Sequence, residues 1–304
     1  MAWSDTPVTH TSVDTTFVVG RPAFVATFYI EAGLAAKASA AFDAWLAMLP
    51  AKTPTFYGHA NSRRMAKLGT PKALAKVREG LSLPSIQTTY QWYVAKSGPA
   101  EGVAEECHAY SFEIFVANAY PGYVYMTFPL DHVEAVGVDA VVAWFGGFCE
   151  QFGVTHAGAG PGFEVAWFNE QAQGVYAPLL AIGLRFHGVR VWQRDNARYR
   201  VSSEKTLDTA AWLTFLSADA IGRLDPGAVE RIDPGVTRHP CGTGVVLQAG
   251  KVPDPCDVNR PGPAGALLAA VNAAIVPIRT VKWWVNGFAA DRDKENRWFG
   301  RMDP

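Results

Sequence analysis

The chain has 304 residues, 49% hydrophobic, 12% aromatic and 18% charged, so it can bury a substantial core and is not a disordered polymer. Twenty-seven Lys and Arg against 28 Asp and Glu leave a net charge of −1. That balance excludes a dedicated nucleic-acid binder, because counterion release from phosphates needs a basic face. No stretch approaches the ~20 uninterrupted apolar residues of a spanning helix; the most apolar window, residues 133–152, holds Glu134, Asp139, Glu150 and three glycines.

Taken in chain order, residues 1–15 read as a flexible arm. They lack a basic start followed by an apolar run, so the protein is expected to stay in the cytoplasm. Residues 23–30 are β-branched and aromatic and predict a strand. Leu34, Ala38, Phe42, Trp45, Leu46 and Leu49 recur at helical spacing and predict a helix over 34–49, closed by Pro50. A basic helix is expected over 71–79, with Thr70 as cap, Pro71 in its first turn and Gly80 at its end.

Residues 86–96, 108–117 and 123–128 read as three strands of an antiparallel meander. Asp131 stands where a helix cap belongs, and Val133, Val136, Ala140, Val141, Trp144, Phe145 and Phe148 supply the buried face of one helix ending near Gly153. Gly158-Ala159-Gly160-Pro161-Gly162 reads as a turn between elements. Pro161 and the lack of an Asp about 20 positions on count against a phosphate-binding loop. Residues 163–168 predict a strand or the entry to a helix through 176–184. An Arg-rich passage, 185–205, is expected as a long surface loop.

Further on, 212–216 and 245–249 predict strands, and Ser217 caps a short helix through Leu224. Asp225-Pro226-Gly227 and Asp233-Pro234-Gly235 mark turns. A loop over 250–265 precedes a helix over 266–275 that Pro277 stops, and Trp283, Trp284, Trp298 and Phe299 give the C-terminal segment apolar surface to dock. The order predicts an α+β fold: one domain over residues 1–304, with a mixed, largely antiparallel sheet flanked by helices.

The search for chemistry returns little. Cys107, Cys149, Cys241 and Cys256 form no C-x-x-C pair or Cys/His cluster and read as reduced thiols. His10, His59, His108, His132, His156, His187 and His239 show no metal-ligand spacing, so neither metal nor cofactor is expected. Asp131 and His132 are adjacent and point in different directions on a helix, which disfavours an acid–base pair. No nucleophile-elbow, zinc-protease or P-loop pattern occurs. The protein is therefore not expected to be an enzyme. The alternative is a hydrolase or nucleotide-using enzyme that gathers distant residues such as Cys107, His108 and Glu113 in a pocket. A structural component of a larger apparatus would instead carry a large apolar self-interface.

Charge is unevenly distributed. Residues 1–96 hold 10 basic and 5 acidic residues, 97–184 hold none and 10, and 185–304 hold 17 and 13. The middle third can present only negative charge, which steers cationic proteins and raises their association rates. Glu101, Glu105 and Glu106 beside a turn, and Asp131, Glu134 and Asp139 on one helix, are the candidate partner contacts. Tyr120 and Tyr123 are their aromatic anchors, with Tyr125 as a further aromatic in the same strand.

From residue 212 onward the chain resembles a known family. Residues Trp212 to Leu216, Ala220 to Leu224, Gly244 to Gly250, Asp257 to Arg260 and Pro277 to Arg279, in that order and spacing, are similar to the TsiV-type immunity family of bacterial type VI secretion systems. The resemblance implies an antidote that blocks a VRR-Nuc-type nuclease effector by binding it, with no cofactor, nucleic acid or membrane as partner. A nuclease carries a basic groove for phosphate, which an acidic block complements. Asp257, Asn259 and Arg260 themselves read as turn-forming residues that maintain the fold.

Overall fold

The computed structural model describes residues 8–12, 15–30, 34–49, 56–59, 66–67, 70–82, 92–95, 110–115, 122–165, 173–191, 206–207, 209–279, 297–298 and 300–303. Its centre is β2 (Thr15–Ile30), a 16-residue strand whose expected part, 23–30, is buried. β2 pairs antiparallel with β7 (Gly122–Phe128) on one side and β8 (Val154–Val165) on the other. β6 (Ser111–Phe115) extends the sheet beyond β7, while β9 (Leu213–Leu216), β11 (Gly244–Ala249) and β10 (Val236–Cys241) extend it beyond β8. β1 (Val8–Ser12) pairs with the start of β2, so this part of the expected flexible arm is a strand. The result is an eight-stranded antiparallel sheet.

β3 (Phe56–His59), β4 (Ala66–Lys67) and β5 (Trp92–Ala95) form a separate three-stranded sheet. β6 and β7 pair as expected, whereas among the described residues β5 pairs with β3 and not with β6. The seven described helices are α1 (Leu34–Leu46), α2 (Pro71–Ser82), α3 (Leu130–Val136), α4 (Val138–Phe152), α5 (Gln173–Arg185), α6 (Ala218–Gly222) and α7 (Pro263–Ala274). Among the described residues no single helix is long and apolar enough to cross a membrane. The α+β class stands.

Helices cover the sheet because alternation puts one set of apolar residues on each face. Phe24, Ala26, Phe28 and Ile30 join Phe42 and Trp45 of α1 and Phe145, Phe148 and Phe152 of α4 in the main core. Phe28 lies 4.2 Å from the Phe148 ring and 5.2 Å from Phe145, centroid to centroid. At roughly 2 kcal/mol per buried large apolar side chain, this contact set fixes the register of α4. α7 packs Leu268, Val271 and Ile275 on Leu216 and Leu247. Two of the expected caps form: Thr70 Oγ1 accepts from the Ala73 N–H and Ser217 Oγ from the Ala220 N–H. Gly80 does not stop α2, which runs on to Ser82.

The largest departure is at residues 158–162, which are a central stretch of β8 and no turn. A Cβ on Gly158 would lie 2.0 Å from Arg190 Nη1, and one on Gly162 would lie 2.8 Å from Val25 Cγ2 and 3.0 Å from the Arg190 carbonyl oxygen. The glycines let Arg190 lie flat on the strand. Arg190 is therefore buried, although it belongs to the passage expected as a surface loop; residues 192–205 of that passage lie outside the described residues. The other departure is the helix expected over 133–152. It breaks at Gly137, whose φ of 93° suits glycine, and α3 and α4 are bent by 100° there.

The segments that carry the family resemblance hold loops in place. Asp257 accepts from Arg185 Nη2 at 2.9 Å and Nε at 3.2 Å, and its Oδ1 also accepts from the Asn259 N–H at 3.0 Å. The Arg185 pair holds the Asp257 carboxyl below the usual range. Arg279 makes a two-pronged contact to Asp303 at 2.6 and 2.8 Å, which lowers the Asp303 pKa in the same way. Trp298 is buried in a second core with Leu179, Leu180 and Phe163, and Arg301 stacks 3.5 Å over its ring. Trp283, Trp284 and Phe299 lie outside the described residues.

Two predictions follow from this packing. Gly162→Ala should destabilise the protein by about 1–3 kcal/mol through overpacking, read as a lower urea midpoint at unchanged slope. His156 is buried, stacks on Tyr29 at 4.5 Å, and has its pKa lowered to about 3, first by burial and then by the Arg223 charge. The folded ring stays neutral while the unfolded one takes a proton below about 6.5. Its contribution is thus complete above that pH and is lost as pH falls toward 3, with a slope of about 1.4 kcal/mol per pH unit. His156→Phe should flatten the loss of stability between pH 6 and 4; an unchanged pH profile by denaturant titration would refute the assignment.

Candidate protein-binding surface

The ten carboxylates of the lysine- and arginine-free block do not all face outward. Six lie among the described residues, and two of these, Glu113 and Glu164, are buried on the sheet face away from α4. Tyr123 Oη donates to Glu113 at 2.5 Å, and Ser111 Oγ donates to Glu164 at 2.8 Å. A carboxylate on a strand whose neighbours are buried on both faces goes inside and takes hydrogen bonds.

Asp131 and Glu134 of α3 and Asp139 and Glu150 of α4 are exposed. Among the described residues none of the four forms an ion pair. Lys37 of α1 reaches the C-terminal end of α4, but its Nζ donates to the Phe152 carbonyl oxygen at 3.1 Å, where it complements the helix dipole. Asp131 does not cap: Pro129 holds that position, and Asp131 sits inside the first turn of α3, where a carboxylate still favours the helix N-terminus. Its charge, after burial, helps push up the pKa of Tyr110. His132 is buried against Phe128 and Tyr110 while Asp131 is exposed, so the two do not act as a pair.

Glu150 is a further acidic residue on this surface. Eleven residues after Asp139 it returns to the same side of α4 after about three turns. The two carboxylates flank a cleft of about 510 Å³ between α4 and the β10–β11 hairpin. Ala143, Gly146 and Gly147 line its helical wall and His239 and Pro240 the opposite one. The charge pattern on α4 made Glu150 findable from sequence, whereas the hairpin wall required the fold.

Tyr123 and Tyr125 are buried in the sheet, with Tyr125 Oη donating to the Phe163 carbonyl oxygen at 2.9 Å. Burial of Tyr123 takes it out of the set of surface anchors. Glu101, Glu105, Glu106 and Tyr120 lie outside the described residues, as do Cys107 and His108 of the enzyme alternative. Cys149 and Cys241 are buried thiols with raised pKa, chiefly from burial, and Cys241 Sγ donates to the Gly146 carbonyl oxygen at 3.1 Å. Among the described residues no group of three His, Cys, Asp or Glu side chains is arranged to hold a metal ion.

Among solved structures, the fold is similar to a Pseudomonas aeruginosa type VI secretion protein described as T6SS protein PA0821. The TM-score is 0.77 at 15% identity, over 97% of this chain and 85% of that one, and at this identity the likeness is one of fold. No functionally curated protein matches the sequence. A family model does match, TsiV, described as type VI immunity for VRR-NUC, over residues 39–301. The match spans most of the chain and includes the segments between 212 and 279 on which the resemblance was read, and the protein belongs to the TsiV family of type VI immunity proteins.

Proposed function

We propose that the protein is a cytoplasmic antidote that neutralises a VRR-Nuc effector by binding it one to one, without catalysis. The observation that carries this reading is the exposed, acidic surface of α3 and α4, which has no ion pairs among the described residues and faces a partner class that must hold phosphate. Inhibition by occupation needs only affinity and an association rate fast enough to precede damage. An acidic surface supplies the rate by drawing in a cationic protein.

On this reading Asp131 and Glu134 steer the encounter. Glu101, Glu105, Glu106 and Tyr120 extend the same contact surface, and Asp139 belongs to it through α4. The effector binds directly, without nucleic acid as an intermediary.

The test is stopped-flow association with the purified VRR-Nuc effector encoded in the same genome. Asp131→Lys with Glu134→Lys should slow association about tenfold at low salt, with the gap closing as salt rises. Thermal stability should change little, because both side chains are exposed. Wild-type association rates for the double variant at low salt would sink the steering role. Failure of the wild-type protein to inhibit the nuclease would sink the antidote reading.

A further inference from the structure

The cleft beside α4 combines three properties that packing does not require. Gly146 and Gly147 sit in mid-helix, where each costs roughly 1 kcal/mol relative to alanine. Yet a Cβ on Gly147 would meet no described atom within 4 Å, and one on Gly146 would make only ordinary contacts at 3.9 Å. The glycines therefore leave a shallow bare stretch of helix open to the outside.

The polar side chains along the walls also match in sign. Asp139 and Glu150 accept hydrogen bonds only, and among the described residues no Lys or Arg lines the cleft. His239 Nε2 lies 2.8 Å from Gln248 Oε1, and Gln248 Nε2 donates to the Lys251 carbonyl oxygen at 3.3 Å. That chain engages Nε2 of the imidazole as a donor to Gln248. The Cys241 thiol is engaged with the Gly146 carbonyl. What the cleft lacks, among the described residues, is a cationic Lys or Arg side chain.

We infer that this cleft grips the effector, a deepening that rests on the antidote reading above. An extended segment of the nuclease lies against Gly146 and Gly147 and places a Lys or Arg beside each of Asp139 and Glu150. The two carboxylates stand about 16 Å apart along the helix axis. Cations four residues apart in an extended segment point to the same side and stand about 13 Å apart, and long Lys or Arg side chains reach across the remaining few ångströms. Close approach of two backbones is what a bare helical stretch permits.

The experiment measures binding of a catalytically inactive form of the same VRR-Nuc effector to three variants. Gly147→Trp fills the cleft from a position where a Cβ meets no described atom within 4 Å, and it removes a helix-weakening glycine. Asp139→Asn with Glu150→Gln removes the charges isosterically. Asp131→Lys with Glu134→Lys reports steering alone. Both cleft variants should raise Kd by at least about tenfold, chiefly through faster dissociation, with Gly147→Trp melting no lower than the wild type. The α3 variant should act on association instead.

Wild-type Kd for both cleft variants, with the wild type still neutralising the nuclease, overturns the cleft and leaves the antidote reading standing. No effector binding by the wild type overturns both. If Gly147→Trp fails to fold, the isosteric pair decides alone. A wild-type homodimer that the cleft variants dissociate, with effector affinity unchanged, makes a second copy of this chain the occupant and overturns the proposal.

Discussion

The contact between α4 and the sheet orients the candidate surface. Phe145 and Phe148 close on Phe28 from above while Val141, Cys149 and Phe152 complete the same buried stripe. A helix rotated by even one residue, about 100°, would bring Asp139 or Glu150 toward the core, where an unpaired carboxylate costs several kcal/mol. The apolar stripe thus does two things at once. It holds the sheet's main face, and it determines that the opposite side of α4 shows carboxylates and glycines.

A second layer of polarity lies on the far face of the sheet and is of a different kind. There Ser111, Thr127, Glu113, Glu164, Tyr123 and Tyr125 exchange hydrogen bonds inside the protein, and Arg190 rests on the glycines of β8. Interior networks of this sort make a fold specific because each member needs its partners in place. The acidic bias of the middle third is therefore divided among the described residues: two carboxylates are drawn inward into the sheet, and four stay in solvent on α3 and α4.

Much of the architecture was legible in the amino-acid order. Periodic apolar residues located α1 and the body of α4, and Thr70 and Ser217 marked the starts of α2 and α6. Three features were hidden for physical reasons. β10 has the sequence Val-Thr-Arg-His-Pro-Cys, and Pro240 suits only a sheet edge, so local propensity understated it. The β8 glycines look like a turn because the cause of their presence, Arg190, comes about 30 residues later. The cleft is built from residues 139–150 and 239–246, about 100 positions apart, and only the sheet brings them together. The exposure of Asp131, Glu134 and Asp139 was anticipated and that of Glu150 was not singled out, whereas the burial of Tyr123 depended on which face of β7 met the interior.

The position of β2 also has a bearing on how the protein is made. Its longest partner, β8, ends at Val165, some 135 residues after β2 is complete. At typical synthesis rates of 5–20 residues per second, that is about 7 to 27 seconds during which the ribosome has delivered the hub of the sheet and not its longest mate. α1 and β7 are made within that interval, but the edge of β2 that β8 will pair stays open throughout it, and an unpaired strand edge can pair with other nascent chains. Chaperone demand should therefore concentrate on the first thirty residues.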